Sequence, residues 1–365
     1  MGFFSSAAKF VRKVAKPLKT ITSLFKMNPK LAILAIAATW LFGSLLRKQD
    51  NPDFGDTEFD NFEKGILVNK QSNDSTIPIV YGTRLVGGTR VFVETSGTDN
   101  SHLYICLVLC EGEINGITEI RVDDQVVTFT GAMADNTQRT VATSDSNFYK
   151  DSTSHITIEP HFGTDGQSSS SLLSELSSWG SNHKLSGVAY LALKFKWNQD
   201  IFSGVPRVQA KVQGKKVVTL ASNLSEQTAS FSSNPAFCLL DYLRNERYGK
   251  GIATADIDLQ SFYDASQVCV TQVTPYSGGS DINIFDTNVV LDTSRKVIEN
   301  VRDLLGACRG YLPFVGGKYN LIIETTGSAS ITLNEDDIIG GFTLASPNKN
   351  NKYNRVIVSF VNPDR

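Results

Sequence analysis

The spacing of apolar residues divides the chain into segments of different character. Phe10, Val11, Val14, Leu18, Ile21, Leu24 and Phe25 recur at three- and four-residue steps with lysines between them. This is the pattern of a basic amphipathic helix, interrupted at Pro17. Asn28 and Pro29 restart the chain as a cap and a first-turn proline. Residues 31–46 then run without a charge, between Lys30 and Arg47-Lys48. A helix that is apolar all round must be buried, in protein or in lipid. At 16 residues it is shorter than the roughly 20 needed to span a bilayer. The long basic stretch before it, and the lack of a small-x-small cleavage site after it, argue against a secretory signal. Two readings stay open: Leu31, Ile33, Leu34, Ile36, Trp40, Leu41, Phe42 and Leu45 pack against other copies inside an assembly, or they enter a membrane. Ala32, Ala35, Ala37 and Ala38 permit close helix approach in either setting.

From residue 66 the pattern becomes that of strands. Residues 77–82 form a short apolar strand ending at Gly82, and the Gly87-Gly88 pair is a tight turn or bulge between strands. Residues 102–110 are strongly apolar, and residues 117–127 predict a hairpin around Asp123-Asp124. Turn signals every 8–12 residues predict a barrel or sandwich. Residues 131–186 are rich in Ser, Thr, Asp and Asn and read as an insertion, with Leu172, Leu173, Leu176 and Trp179 on one short helix. Strand pattern returns at 187–197 and 205–218. Asn234 and Pro235 then start a helix that ends in the Tyr248-Gly249-Lys250-Gly251 stretch. Further helices are predicted at 258–270 and 293–309, the last with Val297, Ile298, Val301, Leu304 and Leu305 on one face. Gly316-Gly317 marks a hairpin over 311–323, and 353–361 reads as a last strand.

The expected organisation is α+β and β-dominated. A hydrophobic helical arm covers 1–50, and an acidic linker covers 51–64. A β-rich domain spans 65–218 with the insertion at about 131–186, a helical subdomain spans 219–310, and a second β-rich domain begins at 311–365. The turn signal at the end, Asn362-Pro363, leads us to expect a longer natural polypeptide.

Charge sharpens this division. The net charge is −2, yet residues 1–50 hold nine lysines and arginines against one acid, Asp50, so the arm carries +8 and the remainder −10. A basic arm on an acidic body points to separate partners for the two, and an acidic body argues against a grip on nucleic acid. Five scattered cysteines (Cys106, Cys110, Cys238, Cys269 and Cys308) do not form a disulfide framework and suit synthesis in a reducing cytoplasm. His102, His155, His161 and His183 have no metal-ligand spacing; His155 and His161 read as solvated loop residues. No catalytic, phosphate-loop or metalloprotease motif is present, and Asp123-Asp124 and Asp336-Asp337 point their carboxylates apart. No cofactor, metal site or enzymatic activity is expected.

Several stretches are familiar in this order. They are IPIVYGTRLVGGTRVFVETSG (77–97), LYICLVLCEGEINGITEIRVDD (103–124) and NPAFCLLDYLRNERYGKGI (234–252), followed by the Gly-Gly hairpin and a final strand before Asn-Pro-Asp. Together they resemble the phage tail hub family of the tip attachment protein J type, over about residues 65–365. The motif positions are Pro78, Tyr81, Gly82, Gly87, Gly88, Asn234, Pro235, Tyr248, Gly249 and Gly251. The resemblance implies tail-tube-like β domains and a structural homotrimer in the virion, made in the bacterial host cytoplasm. Such a trimer closes the distal end of the tail tube, adapts its six-fold symmetry to a three-fold central fibre, and opens for DNA ejection. It also implies contacts with the distal tail protein ring, the tape measure protein and accessory tail-tip proteins, with DNA passing through unbound. The acidic body fits a conduit that repels DNA, and a 16-residue helix, about 24 Å long, fits a bundle inside the tip. In the alternative reading the arm is a membrane-penetrating device that contacts the host envelope transiently.

Overall fold

The most apolar run of the body becomes the centre of a sheet. In the computed structural model, which describes residues 69, 75–275 and 278–325 and isolated positions up to 355, β4 (His102–Glu111) is buried at every position except its two ends. It pairs on one side with β3 (Thr89–Ser96) and on the other with β9 (Val188–Lys196), both antiparallel. Beyond β9 lie β8 (Ile156–Phe162) and β7 (Arg139–Thr140), which complete a five-stranded sheet. A strand covered on both faces reads as continuous apolar sequence, not as alternation. One covered face carries Tyr104, Cys106, Val108, Tyr190 and Ala192, packed against Leu172, Leu173, Leu176 and Trp179. Those four lie around a single 3-10 turn, Leu173–Glu175, where a short helix was expected.

The polar stretch 131–186 is more than an insertion, because it supplies β7 and β8. Strand β8 is an interior strand whose Ile156 and Ile158 are buried. Its signal was diluted by Glu159, Pro160 and His161, which are buried as well.

The second sheet is built on β5 (Ile114–Val122) and β10 (Val208–Val217), with β6 (Gln125–Val126), β11 (Ser230–Phe231) and β2 (Thr83–Val86). Ile117, Ile120 and Val122 face Val212, Ala210 and Val208 across the register, all buried. A bulge at Thr118, opposite Lys211 and Val212, lets Ile117 and Ile120, three residues apart, share one face. The Asp123-Asp124 hairpin forms as expected, with both aspartates in the left-handed region. Gly87-Gly88 is neither a hairpin turn nor a bulge: β2 and β3 belong to different sheets, and the pair carries the chain from one to the other. The side chain of Asn69 fastens this corner, donating to the carbonyls of Gly87 and Val208 and accepting from Val208 N at 2.8 Å.

The helical layer comprises α1 (Pro235–Arg244), α2 (Leu259–Cys269) and α3 (Val297–Gly306). Helix α3 is shorter than expected, because Ser294 N is taken by the Asp292 carboxylate at 2.8 Å and Lys296 becomes the cap. Ile298, expected on its apolar face, is 54% exposed, while Asn300, Val301 and Leu304 are buried. Strand β1 (Ile79–Tyr81) belongs to this layer too. It pairs with β12 (Val289–Leu291), and Ile79, Tyr81 and Leu291 join the helical core cluster. The chain therefore threads through the helical layer before it builds either sheet.

After α3 come β13 (Gly310–Tyr311), β14 (Phe314–Val315), β15 (Lys318–Tyr319) and β16 (Ile322–Ile323), paired as an interrupted hairpin. It turns at Gly316-Gly317 as expected, at φ +61° and +80°. The arm residues Leu31, Ile33, Leu34, Ile36, Trp40, Leu41, Phe42 and Leu45, the linker 51–64 and the expected strand 353–361 fall outside the described residues, Arg355 excepted.

Candidate functional site

Helix α1 places one acid, Asp241, in an otherwise apolar run, and side chains from three other segments converge on it. From β1, fully buried Tyr81 donates its hydroxyl to Asp241 Oδ2 at 2.5 Å. From the turn after α1, Tyr248 donates to the same oxygen at 3.1 Å. From β10, Lys215 Nζ meets Asp241 Oδ1 at 2.5 Å, with side-chain exposures of 16% and 15%, and lies 5.8 Å above the Tyr248 ring. From the end of β4, Glu111 pairs with Arg247 at 2.7 Å alongside. Burial, followed by the Asp241 charge, holds the Tyr81 and Tyr248 hydroxyls well above the ordinary tyrosine range, so both remain donors. Burial also raises Glu111, and Arg247 and Lys215 pull it back.

The local backbone is shaped to bring these groups together. Asn234 caps α1 through Ala236 N at 3.0 Å, and its amide donates to Ser266 O at 3.0 Å, tying α1 to α2. Pro235 occupies the first turn, which fixes the direction of the helix. Helix α1 ends at Arg244, earlier than the glycines suggested, with Asn245 as the C-cap. The chain then folds back so tightly that a Cβ on Gly249 would lie 1.7 Å from Tyr242 O. At the β1 end, Pro78 O accepts from Glu111 N at 2.9 Å, Gly82 O accepts from Gly214 N at 2.7 Å, and Thr83 N donates to Asn288 Oδ1 at 2.7 Å.

Seen together, the motif positions are the residues of a junction. Tyr81 and Tyr248 hold the Asp241 carboxylate; Pro78 and Gly82 bond the ends of β1 to Glu111 and Gly214; Gly249 packs on the Tyr242 carbonyl; Asn234 and Pro235 start the helix that carries Asp241; Gly251, at φ +65°, completes the return. Gly87 and Gly88 stand apart, at the change of sheet. Asp241, Lys215 and Gly214 were not singled out from the sequence. A lone acid inside Phe-Cys-Leu-Leu-Asp-Tyr-Leu was the available signal for the first. Chemically the arrangement is a clamp: the carboxylate accepts from three donors, and the tyrosine hydroxyls are too weakly acidic to ionise.

A second buried polar group lies on the first sheet. Glu159 and His161, both 0% exposed, share a face of β8, with His161 Nε2 and Glu159 Oε1 2.9 Å apart. Glu159 also accepts from Ser171 N, Ser171 Oγ and Leu172 N at 2.7–2.9 Å. Burial alone would raise this carboxyl, but these hydrogen bonds outweigh it and hold it down at about 2. The His161 ring stacks on Tyr190 at 4.3 Å. His155, also on this side of the chain, is buried, and its Nδ1 lies 3.0 Å from Lys196 O. Neither histidine is the solvated loop residue its polar sequence surroundings suggested. Among the described residues no cluster of metal-ligating side chains occurs, and no helix is long and apolar enough to cross a membrane.

No family model matches the chain. Among curated proteins it is similar to baseplate hub protein pb3 of Escherichia phage T5, at 25% identity, with 79% of this chain and 36% of that protein covered. It is also similar to tip attachment protein J of Escherichia phage SECphi27, at 25% identity over 36% of this chain and 11% of that one. The chain thus spans about a third of the first relative's length and about a tenth of the second's. Among solved structures, a chain of the virion of a native gene transfer agent particle aligns with 57% of this chain and 41% of its own length, at 16% identity and a TM-score of 0.32. The curated homologues are therefore phage hub and tip proteins.

Proposed function

We propose that the chain is a structural hub protein of a phage tail tip or baseplate, located in the virion and without enzymatic activity. One observation carries this reading: the similarity to a baseplate hub protein runs through most of the chain. The motif residues inside that similarity are spent on joining the β sheets to the helical layer, not on presenting a nucleophile. In the finer form of the proposal, three copies close the distal end of the tail tube, adapt six-fold to three-fold symmetry, and open for DNA ejection. The partners are the distal tail protein ring, the tape measure protein and accessory tail-tip proteins, and DNA passes without specific binding.

Two features support an assembled role. The body carries −10 against +8 on residues 1–50, which keeps passing DNA from adhering to it. The hairpin over 311–323 leaves Tyr311, Phe314, Val315 and Ile322 52–63% exposed, large apolar side chains of the kind found at interaction surfaces. Native mass spectrometry of the purified full chain tests the oligomer: a trimer is expected, and a hexamer or a persistent monomer counts against the hub. The charge-free residues 31–46 behind a basic stretch favour a second reading for the arm, insertion into the host envelope. A synthetic 1–48 peptide added to anionic vesicles tests it: dye release supports insertion, and absence of binding removes it.

A further inference from the structure

One lysine and one aspartate of the junction meet in an arrangement that comparable ion pairs in the chain lack. Lys215 Nζ donates to Asp241 Oδ1 at 2.5 Å, while Tyr81 and Tyr248 donate to the other oxygen, Oδ2, at 2.5 and 3.1 Å. The two oxygens are therefore divided between an amine and a pair of hydroxyls. Both tyrosines are buried, and burial holds their hydroxyls in the protonated, donating form. The lysine is aimed as well. Its stem lies over Gly112, where a Cβ would sit 2.9 Å from Lys215 Cδ and 3.0 Å from Cε, and its Nζ stands 5.8 Å above the Tyr248 ring. Gly112, at φ +90°, is the residue that lets the stem pass. Lys216 and Lys194 also meet carboxylates at 2.5 Å, but in other settings. Glu113, the partner of Lys216, is 44% exposed. At Glu175, which is 41% exposed, Lys194 and Tyr104 share the same oxygen.

We propose that Lys215 and Asp241 are a modification site, where amine and carboxyl condense into an intramolecular isopeptide bond. Folding first brings them together as an ion pair, and condensation follows on the folded chain. One proton passes from Nζ to Oδ1 along their hydrogen bond, giving a neutral amine and a neutral acid. The Nζ lone pair then attacks Cγ. The charge that gathers on Oδ2 is held by the two tyrosine hydroxyls, in the manner of an oxyanion hole. A second proton moves from the nitrogen to Oδ1, the Cγ–Oδ1 bond breaks, and one water leaves. Of the ammonium hydrogens, one stays on the amide and the others depart in the water; nothing is oxidised or reduced. Two reactants fixed on one scaffold need no encounter, which lowers the barrier to a reaction that free side chains in water do not undergo at a useful rate. The product joins β10 to α1 and so fixes the second sheet to the helical layer covalently. It forms once, within the chain, and the inference stands independently of the hub reading.

The test uses the purified full chain, kept folded, sampled over days and weighed intact after unfolding. The expected result is a mass lower by one water than the sequence gives. Digestion with trypsin and a glutamate-specific protease should yield residues 212–216 joined to 227–244 through Lys215 and Asp241. This peptide map on the unaltered chain decides the case even where a variant folds poorly. Lys215→Arg keeps the charge but presents no amine, and should retain the full mass. Tyr81→Phe keeps the ring but removes one donor to Oδ2, and should slow the loss of water roughly a hundredfold. An unchanged mass after prolonged incubation, a water lost at another residue, the same loss in Lys215→Arg, or an unchanged rate in Tyr81→Phe overturns the proposal.

Discussion

Replacing Asp241 by asparagine asks how much the junction depends on one carboxylate. The amide keeps the size of the side chain and one acceptor oxygen, but it turns an NH2 group toward either the Lys215 ammonium or the tyrosine hydroxyls. Tyr81, Tyr248 and Lys215 then lose charge-assisted partners, each worth about 1.5–3 kcal/mol. Breaking a fully buried ion pair costs about 3–5 kcal/mol. The side chains here are 16% and 15% exposed, so we take the lower end, about 3 kcal/mol. In a body of this size that lowers the melting temperature by roughly 6–10 °C. Urea unfolding followed by tryptophan fluorescence measures it, with the slope shared between variants. Lys216→Ala is the internal control. Lys216 meets Glu113 at the same 2.5 Å, but with exposures of 30% and 44%, and its loss should cost under about 1 kcal/mol. If Asp241→Asn costs no more than Lys216→Ala, environment does not decide the strength of these pairs and the clamp is not what joins the layers.

Glu159 gives stability a dependence on acid. Its folded value, about 2, lies below the ordinary 4.5, so the unfolded chain binds more protons between these values. The contribution, on the order of 3 kcal/mol, is complete above about pH 4.5 and is lost as pH falls toward 2; Glu159→Gln should flatten that part of the stability profile measured by denaturant titration, and an unchanged slope would reject the assignment. Gly249→Ala, whose Cβ would meet the Tyr242 carbonyl, should destabilise by more than about 3 kcal/mol or prevent soluble expression, whereas Gly316→Ala, with open space and only a left-handed backbone to oppose it, should cost about 1 kcal/mol. Comparable losses in thermal melts of the two would refute the distinction. Asn234→Ala removes both a helix cap and the tie to Ser266, and should cost about 1–2 kcal/mol in the same melts.

What could be read from the sequence was local and periodic. The apolar run of β4, the Asn234-Pro235 start of α1, the start of α2 at residue 258 and the Gly316-Gly317 turn each follow from nearby residues, and each appears where the pattern placed it. What escaped was set by partners distant in sequence. β8 is interior because β9 and β7 flank it, although Glu159-Pro160-His161 reads as loop. Strand β1 joins the helical layer through Val289–Leu291, about 210 residues away, and nothing near Tyr81 announces that pairing. The motif positions Tyr81 and Tyr248 were legible as residues, but their common purpose was not, because Asp241 and Lys215 supply it from other elements. Ile298 shows the reverse: its spacing put it on the apolar face of α3, yet it is more than half exposed.

The hub proposal is tested most directly by imaging the intact particle. Cryo-electron microscopy of complete tails should show three copies of the chain around the axis at the distal end of the tube, with the β1–α1–β10 junction intact in each copy. Six copies, a single copy, or a position away from the tube axis would contradict it.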